Sequence, residues 1–274
     1  MNRIQTISYL ISCAAIAAIL GVSYLSFSET AYIKGGALPK NPSVQGIETP
    51  TQEQESEGLD LKLYSGEWGV YFKEVGQETL YDKNSDVVYS AASLNKLITA
   101  ITILKKVDEG KLTLDTTIGR TSIQALLETM INRSDNDSWD TLNNLATFPS
   151  MQEVVKSLDL NNTSMFTNQT TADDMATLLQ KLWTKKILSE KSTTLLLSLM
   201  QKTETEDRIP IALKSGIEVY HKTGSLDENA LHDVAIIRYQ DKTYVLVILG
   251  RKTTRVEGTR TIQEITRQLT SKLP

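Results

Sequence analysis

The sequence predicts an α+β fold in which helices cover the faces of an antiparallel sheet. Three observations carry this reading. Strand-type alternation occurs early, in Trp68, Val70 and Phe72, and strand-like runs resume late, at Ile217, Val234 and Thr243 to Leu249. Between these stretches apolar residues recur at helical spacing, from Leu94 to Met200. A final amphipathic pattern, Ile262, Ile265 and Leu269, closes the chain. Strands drawn from both ends of a domain most simply share one antiparallel sheet, and helices must then bury its apolar faces.

The chain opens differently. Ile7 to Phe27 is a 21-residue apolar run without charge, preceded by Asn2-Arg3, and about 20 such residues cross a bilayer as a helix. A cleaved signal peptide has an apolar core of about 7 to 15 residues. The length therefore favours an uncleaved anchor, with Ser26-Phe27-Ser28 as the cleavage site if the segment is removed and the protein secreted. Leu10-Ile11-Ser12-Cys13 resembles a lipoprotein box only faintly. Cys13 reads as a small membrane-facing residue, and as the single cysteine it excludes an intramolecular disulfide. Residues 1–28 are thus expected to be a membrane anchor or signal segment, meeting the lipid bilayer through residues 7–27. Residues 29–58 carry Gly35-Gly36, three prolines and Glu53-Gln54-Glu55-Ser56-Glu57, too polar to order themselves, and read as a flexible linker. Residues 59–274 suffice for one domain with a full core. A net charge of −4, with no basic stripe and no glycine-rich phosphate loop, argues against nucleic acid.

Within the domain, Trp68 to Phe72 and Thr79 to Tyr81 flank a turn at Glu74-Val75-Gly76-Gln77 and form a hairpin. Val87, Tyr89 and Ala91 alternate just before Ser93. Leu94, Leu97, Ile98, Ile101 and Leu104 then mark one helix face, so Ser93 sits where a loop enters a buried helix. Ile123, Leu126, Leu127, Met130 and Ile131 give a second helix that stops before Ser134. A short helix spans Ser150 to Leu158. Ile217 to Tyr220 is a β-branched run that Lys222 to Gly224 ends, Thr-Gly being also a frequent hairpin-turn signal, and it leads through Ser225-Leu226-Asp227-Glu228-Asn229 to strands at Val234 to Tyr239 and Thr243 to Leu249.

Three motifs stand in order along these elements: Ser93-Leu94-Asn95-Lys96, Ser134-Asp135-Asn136 and Lys222-Thr223-Gly224. Any one is weak, since about one Ser-x-x-Lys is expected by chance in a chain of this length. Their chemistry, however, is complementary. The first N–H groups of a helix lack internal partners and can donate to an oxyanion forming at Ser93. Lys96, at i+3, shares the helix face of Ser93. Burial and a second cation, for which Lys222 is placed, would both lower its pKa and make it a base. Ser134 stands at a helix end, where a cap or turn would explain it equally well.

The trio and its surroundings resemble the penicillin-recognising serine hydrolases, most closely the class A β-lactamase enzyme family, for which it is an established signature. The likeness runs from about Gly66 to Leu269. It includes Asp108-Glu109-Gly110-Lys111-Leu112-Thr113-Leu114-Asp115, Thr170-Thr171-Ala172-Asp173-Asp174-Met175-Ala176 and the approach from Arg208-Ile209-Pro210 to His221. The resemblance implies a five-stranded antiparallel sheet with flanking helices plus an all-helical lobe, the site lying between them. It also implies roles: Ser93 as acylated nucleophile, Lys96 as base and Ser134 as relay of the proton to the leaving amine. Asn136 would bind the substrate's side-chain amide, Lys222, Thr223 and Gly224 its carboxylate end, and the N–H groups of Ser93 and Ser225 the oxyanion.

One departure matters. The family carries Glu-x-x-Leu-Asn between the second and third motifs, and its glutamate activates the deacylating water. Here Ser157 holds that position before Leu160-Asn161, the stretch is short, and the nearest acids, Glu153 and Asp159, do not fit. His221 and His232 lack the carboxylates or third ligand of a zinc site and are expected to be structural, so neither metal nor cofactor is indicated. The expected protein is a monomeric, extracytoplasmic active-site-serine hydrolase at the cell membrane, forming an acyl-enzyme with a β-lactam or a peptidoglycan stem peptide. It is either a slow β-lactamase or a penicillin-binding D-Ala-D-Ala peptidase. The alternative is a sensor that binds the same ligands without turnover.

Overall fold

The computed structural model describes residues 59–227, 230–271 and 273. After a 3-10 turn at Leu61–Leu63 come strands β1 (Glu67–Glu74), β2 (Thr79–Lys83) and β3 (Tyr89–Ser90). Helix α1 (Asn95–Asp108), the short ribbon β4 (Thr117–Ile118) and β5 (Thr121–Ser122), and helices α2 (Ile123–Asn132), α3 (Asn136–Ala146) and α4 (Phe148–Ser157) follow. Then come β6 (Gln169–Thr170), α5 (Ala172–Trp183), α6 (Glu190–Leu199), α7 (Ile209–Ala212), β7 (Glu218–Leu226), β8 (Ala230–Tyr239), β9 (Lys242–Arg251) and α8 (Arg255–Thr270). The long strands form one antiparallel sheet in the order β2-β1-β9-β8-β7. Strands from both ends of the domain therefore meet at its centre, as the alternation predicts. The anchor call on residues 7–27 lies outside the described residues, among which no helix is long and apolar enough to cross a membrane.

The sheet is apolar on both faces, so its central strands read as unbroken hydrophobic runs. Along β9, Val245, Val247 and Leu249 join the larger core, whereas Tyr244, Leu246 and Ile248 join a smaller one. Ile262 and Ile265 of α8 cover the smaller core. The larger core is built on α1, whose Leu94, Leu97, Ile98, Ile101 and Leu104 side are all fully buried. Lys106 at the end of α1 donates to Leu145 O at 2.8 Å and Ala146 O at 3.2 Å, closing the carbonyl end of α3. The α1 and α3 axes are thereby fixed, with both N-termini toward the candidate site.

Two sequence boundaries shift. The run that Lys222 to Gly224 was expected to end continues to Leu226, because β8 pairs with it residue by residue from Glu218↔Arg238 to Leu226↔Ala230. Lys222-Thr223-Gly224 is thus strand, not turn. The short helix is Phe148–Ser157 rather than Ser150 to Leu158, since Thr147 accepts from Ser150 N and starts it earlier.

Candidate active site

Ser93 lies in a 3-10 turn, Ala92–Leu94, that runs directly into α1. The turn is held from below: Ala91 N donates to Asn168 O at 2.8 Å and Asn95 Nδ2 to Asn168 Oδ1 at 2.9 Å. Three residues here adopt left-handed backbone: Ala92 (φ 48°) next to the nucleophile, Asn168 (φ 52°) and Ser134 (φ 59°). Each such position costs a non-glycine residue about 1 kcal/mol or more. Asp135, next to Ser134, caps α3 by accepting from Ser138 N at 2.7 Å, which turns Ser134 back toward α1.

Lys96 is only 1 % exposed. Its Nζ donates to Ser93 Oγ (3.1 Å), Ser134 O (2.6 Å) and Asn136 Oδ1 (2.7 Å), with Ser134 Oγ at 3.5 Å. Lys222, on β7, donates to Ser134 Oγ at 2.9 Å and Thr223 O at 3.2 Å. One hydroxyl, Ser134, therefore sits between two buried amines. Burial pushes Lys96 down to about 8, against the opposing pull of Asp135 and Asp140. Burial first, and the Lys96 charge second, bring Lys222 down to about 7. The mutual repulsion thus falls on Lys222, whereas the sequence reading expected it to fall on Lys96. The two share Ser134 and titrate as a pair, whose first proton leaves close to neutrality.

The sheet edge approaches the nucleophile closely at Gly224. A β-carbon there would meet Ala91 O, His232 Cδ2 and Leu94 Cγ, all at 3.3 Å. Absence of a side chain lets β7 lie against the Ser93 turn. Thr223 is buried and pairs across to Asp233 on β8. Ser93, Lys96, Ser134, Asn136 and Lys222 thus form one contact network, with Gly224 packed against the nucleophile turn, although they come from separate elements.

Two residues around the site were given no role by the sequence, although Arg208 lies in a segment that resembles the family. Trp139, one turn into α3, lays its ring 5.3 Å from Lys96 Nζ and fixes its indole by donating Nε1–H to Thr99 Oγ1 at 3.0 Å. Such a contact contributes about 0.5–2 kcal/mol. Arg208, 1 % exposed, donates to Gly224 O (3.1 Å), His232 O and Ser225 Oγ (2.6 Å), bracing the end of β7.

The histidines require a correction. His221 does have carboxylates: its Nδ1 is 2.9 Å from Asp233 Oδ1 and its Nε2 is 3.1 Å from Glu206 Oε1. They were invisible in sequence because the acids come from β8 and from the loop before α7. Burial alone would lower its pKa, but Asp233 and Glu206 outweigh burial and hold it at about 9. The two acids face opposite ring nitrogens, so they clamp a proton rather than a metal. Among the described residues no group of three or more His, Cys, Asp or Glu is arranged to hold a metal ion. Burial pushes His232 down to about 4. Neutral, it donates Nε2–H to Ser90 O at 2.7 Å and accepts from Gly250 N at 3.1 Å, tying the sheet to the nucleophile turn.

Among the described residues, neither Ser157 nor the nearby acids stand in for the absent glutamate. Ser157 is exposed at the end of α4 and donates to its own helix, to Val154 O at 2.8 Å. Glu153 faces solvent on α4, and Asp159 is exposed and paired with Lys181 at 3.0 Å. None of the three hydrogen-bonds Ser93, Lys96, Ser134 or Asn136.

Residues 53–273 match the sequence model described as "Beta-lactamase enzyme family". The extended-spectrum β-lactamase PER-1 of Pseudomonas aeruginosa is 28 % identical, with 65 % of this chain and 71 % of that protein covered. An ancestral class A β-lactamase superposes with a TM-score of 0.73 at 20 % identity, covering 77 % of this chain and 95 % of its own. A point mutant of PBP-A, solved as its acyl-enzyme complex with penicillin G, gives a TM-score of 0.70 at 24 % identity, covering 77 % and 91 %.

Proposed function

This chain belongs to the β-lactamase enzyme family, and from that premise we propose that it is a serine hydrolase acylated at Ser93 by β-lactams or by the D-alanyl ends of cell-wall peptides. The observation that carries the reading is the unbroken contact path Ser93 Oγ, Lys96 Nζ, Ser134 Oγ, Lys222 Nζ. A carboxylate-bearing acyl donor docks its anion at Lys222 and Thr223, which keeps the pair's remaining proton on Lys222. Lys96 is then the neutral amine, 3.1 Å from the hydroxyl it must deprotonate. Ser93 Oγ attacks the carbonyl, and the N–H groups of Ser93 and Ser225 take the developing oxyanion charge. The proton passes from Lys96 through Ser134 to the departing nitrogen, while Asn136 holds the side-chain amide of the donor.

The second half-reaction is the slow one in this proposal. An ester is attacked slowly by water unless a base takes the water's proton, and such help is worth about 10² to 10⁴ in rate. With Ser157 in place of glutamate, the acyl-enzyme formed with a penicillin persists, which favours a penicillin-binding peptidase or a sensor over a fast β-lactamase. We place the catalytic domain outside the cytoplasmic membrane, tethered by residues 29–58 to an anchor at residues 7–27, because its substrates lie there. Intact-mass spectra taken over minutes, alongside a chromogenic cephalosporin, test the reading. The expected outcome is a stable stoichiometric adduct with little colour change. Rapid loss of the adduct with excess hydrolysed drug would assign a turning-over β-lactamase, and absence of any adduct would exclude acyl transfer.

A further inference from the structure

We propose that Asn168 is a positioning residue for acylation: it staples the turn that carries Ser93 from both sides and so holds the nucleophile in the geometry of attack. This inference rests on the acyl-enzyme reading above, and it gives the loop that follows Leu160-Asn161 a part in the first half-reaction although the glutamate of the second is absent. The turn needs holding. Ala92, directly before Ser93, sits at φ 48°, a region that a residue with a β-carbon leaves unless its surroundings over-determine it. Asn168 meets the segment at three points. Its carbonyl accepts from Ala91 N at 2.8 Å, its Nδ2 donates to Ser90 Oγ at 3.3 Å, and its Oδ1 accepts from Asn95 Nδ2 at 2.9 Å. Ser90 and Ala91 precede the strained residue and Asn95 follows the nucleophile, so a single residue fixes both ends of the turn. His232 reinforces only the leading end, through Ser90 O. At the trailing end Asn95 is 1 % exposed and its Oδ1 has no hydrogen-bond partner among the described residues, so the bond to Asn168 is the one its amide makes.

The staple is itself well anchored. Asn168 adopts φ 52°, which asparagine tolerates better than most residues. It stands at the foot of a loop closed by bonds from Ser164 N to Gln169 O at 2.9 Å and from Gln169 N to Ser164 O at 3.1 Å. Just beyond it, Gln169 and Thr170 pair with Ser90 and Tyr89, joining β6 to β3. Gln152 Oε1 accepts from Met165 N at 3.0 Å and ties the same loop to α4. None of these contacts involves Lys96, whose amine is held by Ser93 Oγ, Ser134 O and Asn136 Oδ1. Asn168 therefore acts on where Ser93 stands and not on the base.

The test separates positioning from a purely structural role. Asn168→Gly retains the left-handed backbone, which glycine adopts freely, and with it the carbonyl bond to Ala91; only the side-chain bonds to Ser90 and Asn95 go. Acylation by a fluorescent penicillin is followed in a single turnover over a range of drug concentrations. The limiting rate is expected to fall by about tenfold to a hundredfold. The concentration that gives half of it is expected to stay at the wild-type value, because Asn136, Lys222 and Thr223 keep their places. A single-turnover rate constant does not depend on how much of the protein is folded, so a lowered melting temperature alone cannot imitate this loss. Asn95→Ala breaks the Oδ1 bond from its other end and is expected to lower the limiting rate in the same way. An unchanged limiting rate in folded Asn168→Gly overturns the proposal, as does a loss confined to the half-saturating concentration. If Asn168→Gly does not fold, a wild-type limiting rate in Asn95→Ala overturns it. Wild-type protein that forms no adduct overturns this inference and the acyl-enzyme reading together, whereas a wild-type limiting rate in the variants leaves that reading standing.

Discussion

Ser93→Ala is expected to abolish covalent labelling by a fluorescent penicillin, with no residual adduct by mass, while the melting temperature stays within a few degrees of wild type. The first half follows from chemistry: no other hydroxyl meets a base at the start of α1, and Ser134 Oγ lies between two amines as a relay rather than as an attacking group. The second follows from what the side chain contributes to the fold. Ser93 is partly exposed, and its Oγ accepts one bond, from Lys96 at 3.1 Å. A hydrogen bond of this kind contributes about 1 kcal/mol net. Lys96 keeps Ser134 O and Asn136 Oδ1, so its buried charge is not stranded. Labelling that survives in Ser93→Ala would remove Ser93 as nucleophile.

Lys96→Arg is expected to lower the acylation rate by about 10² to 10⁴ although the charge is kept. A guanidinium does not give up its proton near neutral pH, so it cannot take the one on Ser93 Oγ. Lys222→Arg is expected to be milder, because that site needs only a cation for a carboxylate. The wild-type acylation rate should rise with pH through about 7 to 8, where burial and mutual repulsion release the first proton of the pair. In Lys96→Arg that rise should vanish. Stopped-flow acylation across this range decides the matter, since a wild-type rate in Lys96→Arg would disqualify Lys96 as the base.

Much of this was legible in the sequence, and the parts that were not share a cause. The face of α1, the alternation in β1, the apolar run of β9 and the three motifs are local patterns, fixed by 3.6- or two-residue periods, by composition and by spacing. The path from Ser93 through Lys96 and Ser134 to Lys222 was anticipated because each member has a distinctive residue type in a distinctive order. Trp139, Asn168, Arg208 and the pairing of His221 with Asp233 and Glu206 were not. Each acts through contacts between residues far apart in the chain, and although Arg208 and His221 lie in a segment that resembles the family, their partners cannot be read from it. The continuation of β7 through Lys222, Thr223 and Gly224 was missed because glycine after threonine reads as a turn, and only the ladder to β8 overrides that preference. The two-residue strands β3 to β6 are too short for any periodicity to show.

The pair of buried amines has a consequence for how the natural ligand can be found. Neither Lys96 nor Lys222 forms a salt bridge with any described carboxylate; their partners are hydroxyl, carbonyl and amide oxygens. Asp135 and Asp140 act on Lys96, and Asp233 on Lys222, only from a distance, and an incoming anion at Lys222 supplies a direct counter-charge to the folded state alone. By mass action, a carboxylate present at about 100 times its dissociation constant stabilises the fold by about 2.7 kcal/mol, or several degrees of melting temperature for a domain of this size. Heat tolerance thus becomes a reporter of occupancy that requires no turnover. A panel of D- and L-terminated wall peptides can be ranked by melting shift, and a uniform lack of shift at millimolar concentration would remove Lys222 from its place as the anion anchor.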